Sequence, residues 1–231
     1  MCNFLKKGKF DVLCLQEVLH HQLIDIADAL KDYSFVGVGR NDGKTKGEYA
    51  PIFYKKTLFD EIESGIFWLS EHPKLAGSIG WDAKQPRIAT WIILQCKKSS
   101  KKVVVINTHF DDKGRLARQE GLNMILDSIS AYSCPVILAG DFNENPNSKL
   151  YLSISKKDSL LMDTDLISSR RKGTKYTYHG FGRIPSDKRQ KIDYVFVKGI
   201  QSVKQVHIPE ETPTKGIFLS DHNPILVKLV L

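Results

Sequence analysis

Ile88-Ala89-Thr90-Trp91-Ile92-Ile93-Leu94-Gln95-Cys96, then Lys97-Lys98-Ser99-Ser100-Lys101, then Lys102-Val103-Val104-Val105-Ile106-Asn107-Thr108-His109 is the stretch that decides the fold class. Two apolar runs rich in β-branched residues, separated by a short lysine-rich segment, read as neighbouring strands joined by a charged hairpin turn. Outward from this hairpin, further strands are expected at Phe10–Leu15, Ser34–Val38, Ala50–Tyr54, Gly65–Leu69, Val136–Ala139, Lys191–Val197, Ser202–Ile208 and Pro224–Leu231. Helical spacing occurs at Leu23, Ile26, Ala27 and Leu30, and again over Gly114–Ala131, where Leu116, Leu122, Ile125 and Ile129 form the stripe. A short helix is expected over Asn147–Ile154. Strands outnumber helices and often follow one another by short turns, which is the pattern of an α+β fold with antiparallel or mixed sheets and helices on the outer faces. No repeat or long linker divides the chain, so one domain spanning residues 1–231 is expected.

The 231 residues carry 34 Lys and Arg against 26 Asp and Glu, a net charge of +8, and 42% are hydrophobic. That composition excludes disordered, collagen-like and coiled-coil classes. No apolar run approaches the roughly 20 residues of a membrane span, so stable membrane insertion is not expected, and a monomer is. The positive balance favours a polyanionic partner without choosing one. Arg170, Arg171, Lys172 and Lys175, followed by Tyr176, Tyr178, His179 and Phe181, alternate cations with aromatics, a mixture able to hold phosphates and stack bases. Cys2, Cys14, Cys96 and Cys134 are widely spaced, with no CxxC pair, and read as thiols in a reducing compartment. With no signal-peptide pattern at Met1–Lys7, a cytoplasmic location is the default expectation.

The informative polar residues are positional. Glu17, His109, Asp141, Asn143, Asp193, Asp221 and His222 each fall at or just beyond the end of an expected strand, where a rigid sheet presents side chains to a shared pocket. Carboxylates gathered there suit a hard divalent cation such as Mg²⁺, and no His or Cys spacing suits zinc. Singly, each has an ordinary explanation: Glu17 as a helix cap, Asp141-Phe142-Asn143 and Ser220-Asp221-His222-Asn223-Pro224 as turns, His109 as a core histidine.

Together the motifs Asp11-Val12-Leu13-Cys14-Leu15-Gln16-Glu17-Val18, Asn107-Thr108-His109-Phe110, Gly140-Asp141-Phe142-Asn143, Ile192-Asp193-Tyr194 and Ser220-Asp221-His222-Asn223-Pro224 resemble the endonuclease/exonuclease/phosphatase superfamily in order and spacing. The resemblance implies a four-layer α/β/β/α sandwich of two stacked mixed sheets, and a Mg²⁺-dependent (Mn²⁺ as an alternative) phosphoesterase. It implies that Glu17 holds the metal with Asp221 close to it, that Asp141 orients or deprotonates the attacking water, and that Asn143 donates to the phosphate. His222, oriented by Asp193, would contact the scissile phosphate. In the deoxyribonuclease-like branch, Glu48 would pair with His109 and Arg87 would contact substrate phosphate, giving two carboxylate–histidine dyads whose acids raise the imidazole pKa. The segment Phe67–Glu71 through Gly80–Asp82 is similar to a bacterial subgroup.

The resemblance also implies a first strand well upstream of the metal-binding glutamate. Only 16 residues precede Glu17, and Phe4–Lys7 are similar to the end of the first helix, so the chain is expected to lack that strand and to be N-terminally incomplete. Hydrolysis of nucleic acid, DNA or RNA, is the leading expectation; the same chemistry on a lipid or small phosphate ester, and a binding module without catalysis, are the alternatives.

Overall fold

The computed structural model describes residues 1–156, 159–210 and 216–231. At its centre the hairpin strands β5 (Ile88–Cys96) and β6 (Lys102–His109) pair antiparallel. A six-stranded sheet extends from them in the order β4 (Phe59–Trp68), β5, β6, β7 (Val136–Asp141), β10 (Asp193–Lys198) and β8 (Met162–Asp163). The β6–β7 pair is parallel and the other pairs are antiparallel, so the sheet is mixed.

Period-two alternation sorts its side chains onto two dry faces. One face carries Ala89, Val104, Ile106, Val136, Leu138, Tyr194 and Phe196, and packs against α3 (Arg115–Ser130) through Leu122, Ile125 and Ile129 and against α4 (Lys149–Ile154) through Leu150, Tyr151 and Ile154. The opposite face carries Ile92, Leu94, Val103, Val105, Ile137 and Val197, and meets a second layer of strands. That layer comprises two three-stranded sheets, β1 (Val12–Cys14)–β3 (Ile52–Lys55)–β2 (Tyr33–Val36) and β12 (Leu226–Val230)–β11 (Ser202–Ile208)–β9 (Arg171–Gly173). The helices α1 (Cys2–Gly8) and α2 (His20–Ala29) cover the first of these through Leu5, Leu23, Ile26, Leu13 and Phe53. The layers are therefore helix, sheet, sheet, helix, as the resemblance implies. The second strand layer is divided, and β1 and β12 each pair on one side only.

The expected strands Ile88–Cys96, Lys102–His109 and Ser202–Ile208 coincide with the observed ones. β4 begins earlier than the expected Gly65 because its first half, containing Glu61 and Glu63, lies at the sheet edge with these residues exposed. The helix expected from Asn147 starts at Lys149, after Ser148, whose side chain accepts the N–H of Tyr151. β8, β9 and α5 (Thr164–Ile167) were not expected from the apolar pattern; they are short. Asp163 of β8 and Asp165 of α5 pair with the buried Lys191 at 3.3 Å and 3.0 Å, and Arg171 of β9 pairs with Asp165 at 2.6 Å. All four cysteines are free thiols, half-buried. No helix among the described residues is long and apolar enough to cross a membrane.

Candidate active site

Strand register brings the first residues of the site together. Across the parallel β6–β7 pair His109 is the partner of Asp141, and across the antiparallel β7–β10 pair Asp141 is the partner of Asp193. Gly140 lets the strand ends approach: a Cβ there would lie 2.1 Å from the Thr108 carbonyl oxygen. Asn107, fully buried two residues before His109, donates its amide to the carbonyls of Leu15 (2.8 Å) and Pro51 (3.0 Å), tying the end of β1 to β6. Glu17 follows that tie with φ of 58°, a left-handed conformation that glutamate rarely adopts. Asn143 is also left-handed, with φ of 50°. Its backbone N–H donates to Asp141 Oδ1 at 2.8 Å.

The segment that alternates cations with aromatics has a scaffolding part in the fold. Thr177, Tyr178, His179 and Gly180 bond to Gln190, Asp221 and Asn223, so this stretch is the scaffold that holds the Asp221–His222 turn. The Tyr178 ring lies 4.8 Å from the His222 ring. Arg171 is paired with Asp165 at 2.6 Å and Arg189 with Glu210 at 3.1 Å.

These elements enclose a polar cavity of about 600 Å³. Glu17, Glu48, Arg87, His109, Asp141, Asn143, Asp221 and His222 all line it. Asp193 stands behind, accepting from His222 Nδ1 at 2.8 Å. Asp141 Oδ2 lies between two imidazoles, 3.6 Å from His109 Nε2 and 4.0 Å from His222 Nε2.

The expected dyad of Glu48 with His109 does not form. Glu48 Oε2 instead meets Arg40 Nη1 at 2.7 Å, because the Arg40 N–H donates to the Glu48 carbonyl and the two side chains emerge side by side from one loop. His109 accordingly behaves opposite to expectation: burial, then the charges of Arg87 and Arg40, hold its pKa well below the ordinary histidine value. Arg87 is buried, with Nε 3.4 Å from Asp111 and Nη2 3.4 Å from Asp112. His222 differs. Burial lowers its pKa, but the charge and hydrogen bond of Asp193, with Asp141 and Asp221, raise it to about 9. Burial and the charge of Asp193 push the Asp141 carboxyl upward.

The carboxylate crowding fits a cation. Although the Glu17 side chain is 58% exposed, enclosure at the cavity wall and then the Glu48 and Asp221 carboxylates push its pKa up. His222 and Arg87 act in the opposite direction without outweighing these causes. Asp141, Asp193 and His222 also offer ligand atoms within 4.8 Å of one another, but Asp193 and His222 already satisfy each other. Oxygen donors from Glu17 and Asp221 match a hard divalent ion better than a nitrogen-rich set would.

Tyr178, from the cation–aromatic segment, and Ile192, from the Ile192-Asp193-Tyr194 motif, also line the cavity, and Arg40, Gln85 and Asp112 complete it without having been anticipated from sequence. For Arg40 the available signal was Asn41-Asp42-Gly43: the Asp42 carboxylate accepts the N–H groups of Lys44 (2.8 Å) and Lys46 (2.9 Å) and folds the loop back on itself.

Comparison with known proteins agrees with this architecture. The chain is 41% identical to an endonuclease/exonuclease/phosphatase from Bacteroides vulgatus, covering all of this chain and 88% of that one with a TM-score of 0.95. It is 33% identical to a mannosyl-6-phosphatase from Bacteroides thetaiotaomicron, covering 100% of this chain and 89% of that one with a TM-score of 0.91. Over 165 residues it is 28% identical to 2',5'-phosphodiesterase 12 of Bos taurus, a match spanning 61% of this chain and 27% of that protein. The profile of the Endonuclease/Exonuclease/phosphatase family matches residues 1–222, from α1 through the His222 turn that closes the cavity, and the chain belongs to that family.

Proposed function

We propose that the protein is a divalent-cation-dependent phosphoesterase acting on a small phosphate ester. The observation that carries this reading is the register of β6, β7 and β10, which sets His109, Asp141 and Asp193 in a row beneath His222. Glu17 and Asp221 would hold Mg²⁺ or Mn²⁺, which when bound neutralises phosphate charge as a Lewis acid. Asp141, its carboxyl pushed upward, is suited to orient the attacking water and accept its proton at Oδ2. The Asp193-bound imidazolium of His222 presents Nε2–H to the phosphate. Arg87 supplies a further N–H donor at the cavity wall, while the Asn143 amide is committed to the Phe110 carbonyl and His109.

The cavity favours a compact ester. Its walls carry the acids Glu17, Glu48, Asp112, Asp141 and Asp221 against two arginines, Arg40 and Arg87, so little positive charge is left for a second phosphate. Only Tyr178 and Ile192 offer an apolar surface. The family relationship to a mannosyl-6-phosphatase supports the same class. Nucleic acid is the second reading, supported by the net charge of +8 and by the exposed Arg170, Lys172 and Lys175.

The test is a panel of p-nitrophenyl phosphate, bis-p-nitrophenyl phosphate, hexose 6-phosphates, plasmid DNA, single-stranded RNA and sphingomyelin, with Mg²⁺, Mn²⁺ or chelator. Chelator-sensitive hydrolysis with a small ester leading is expected. Turnover led by DNA or RNA would favour the second reading, and no turnover of any substrate would overturn both.

A further inference from the structure

Behind the cavity lies a recess of about 10 Å³, lined by Arg40, Glu48, Tyr49, Ala50, Arg87, Ile88 and His109. Arg40, Glu48, Arg87 and His109 line both spaces, so the recess adjoins the site. Its volume corresponds to a single oxygen-sized group. Three buried nitrogens of its lining residues, Arg40 Nε, Arg87 Nη1 and His109 Nδ1, have no hydrogen-bond partner among the described residues. Arg87 is 6% exposed and His109 is 9% exposed. Buried donors are ordinarily paired, so three of them around one small space call for a ligand.

The tautomer of His109 sharpens the chemistry. Asn143 Nδ2 donates to the Phe110 carbonyl at 3.0 Å, which fixes the orientation of the amide. The same NH₂ group lies 3.2 Å from His109 Nε2, so that nitrogen accepts and Nδ1 carries the hydrogen. The residues around the recess therefore carry three N–H donors without a partner and one carboxylate, that of Glu48. A bare phosphate oxygen only accepts, so it could use the N–H groups but could give nothing to Glu48, whose Oε2 is already paired with Arg40. A hydroxyl oxygen accepts from the N–H groups and donates to Glu48, matching both.

We propose that this recess reads one hydroxyl of the substrate, so that the preferred substrates are sugar or polyol phosphate esters and Arg40 is a specificity-determining residue. The proposal deepens, and rests on, the phosphoesterase reading above.

The experiment compares kcat/KM of the Mg²⁺-loaded protein for a hexose 6-phosphate and for its 2-, 3- and 4-deoxy derivatives, with p-nitrophenyl phosphate as control. One deoxy position is expected to lose roughly 30-fold or more, since a site built to hydrogen-bond a hydroxyl discriminates strongly against its absence. In Arg40→Met that loss should shrink to within about threefold, as the reader is gone. If Arg40→Met shows no turnover, Glu48→Gln carries the same comparison. Losses within about threefold at every position in the wild type would mean that the recess holds a trapped water only, and would overturn the proposal, as would a loss that persists undiminished in the variant. No hydrolysis even of p-nitrophenyl phosphate would instead overturn the underlying phosphoesterase reading.

Discussion

Asp193 and Asp141 sit directly opposite one another across the antiparallel β7–β10 pair, an arrangement of two acids that repels unless a cation stands between them. His222 is that cation, 2.8 Å from Asp193 and 4.0 Å from Asp141. Asp193→Asn keeps the shape but removes the charge that orients the imidazole and favours its protonated form. A loss of about a hundredfold or more in kcat is expected, with circular dichroism unchanged. His222→Ala and Asp141→Ala should lose at least as much. Rates within a few-fold of wild type in all three would remove these residues from the reaction.

Glu17 holds a left-handed backbone at φ 58° with Glu48 and Asp221 nearby. Glycine accepts that conformation without penalty, at the cost of extra freedom in the unfolded chain. Glu17→Gly is therefore expected to be more stable than wild type by about 0.5–1 kcal/mol in urea unfolding without metal, while losing Mg²⁺ affinity by calorimetry. A less stable Glu17→Gly would show that the residue is not strained.

Gly140 is required by contact. Adding a methyl there drives it into the Thr108 carbonyl at 2.1 Å, and backbone cannot swing aside as a side chain can. Gly140→Ala should cost roughly 2 kcal/mol or more and lower kcat further by parting His109 from Asp141. A thermal midpoint equal to wild type would refute the close approach.

Asp111 is a stability switch of known sign. Burial pushes its pKa up, but the N–H groups of Gly114, Lys113 and Lys84, with Arg87, outweigh burial and hold it below the ordinary aspartate value. The stability it contributes is present above the unfolded-state pKa and is lost as pH falls through the lower folded-state value. Urea midpoints should therefore drop on acidification below about pH 4. Asp111→Asn should be less stable at pH 7 and show a shallower acid limb. Parallel limbs in the two proteins would assign the acid sensitivity to other groups.

Where apolar alternation was strong the sequence was easy to read: β5, β6 and β11 end where their hydrophobic runs end. The motif residues were legible because each sits at a strand end, where register alone places its side chain. The polar partners were not. Arg40 reaches the cavity through a loop folded by Asp42, and Glu48 turns to it because backbone pairing brings the two together. Such choices between neighbouring charges are made in three dimensions. The same holds for β8, α5 and β9, short segments linked by the ion pairs of Lys191 with Asp163 and Asp165 and of Asp165 with Arg171.

Glu17 extends from β1 and His222 leads into β12, and these strands belong to separate three-stranded sheets. The Glu17 arm and the Asp221–His222 arm are thus separate mounts on one bench, the six central strands that carry His109, Asp141 and Asp193. A small shear of one mount alters the gap between arms while leaving the bench undisturbed. On the phosphoesterase reading, the relative seating of the two half-layers would set the substrate span, and substitutions at the buried Ile52 or Val206 would be levers on reach rather than on chemistry.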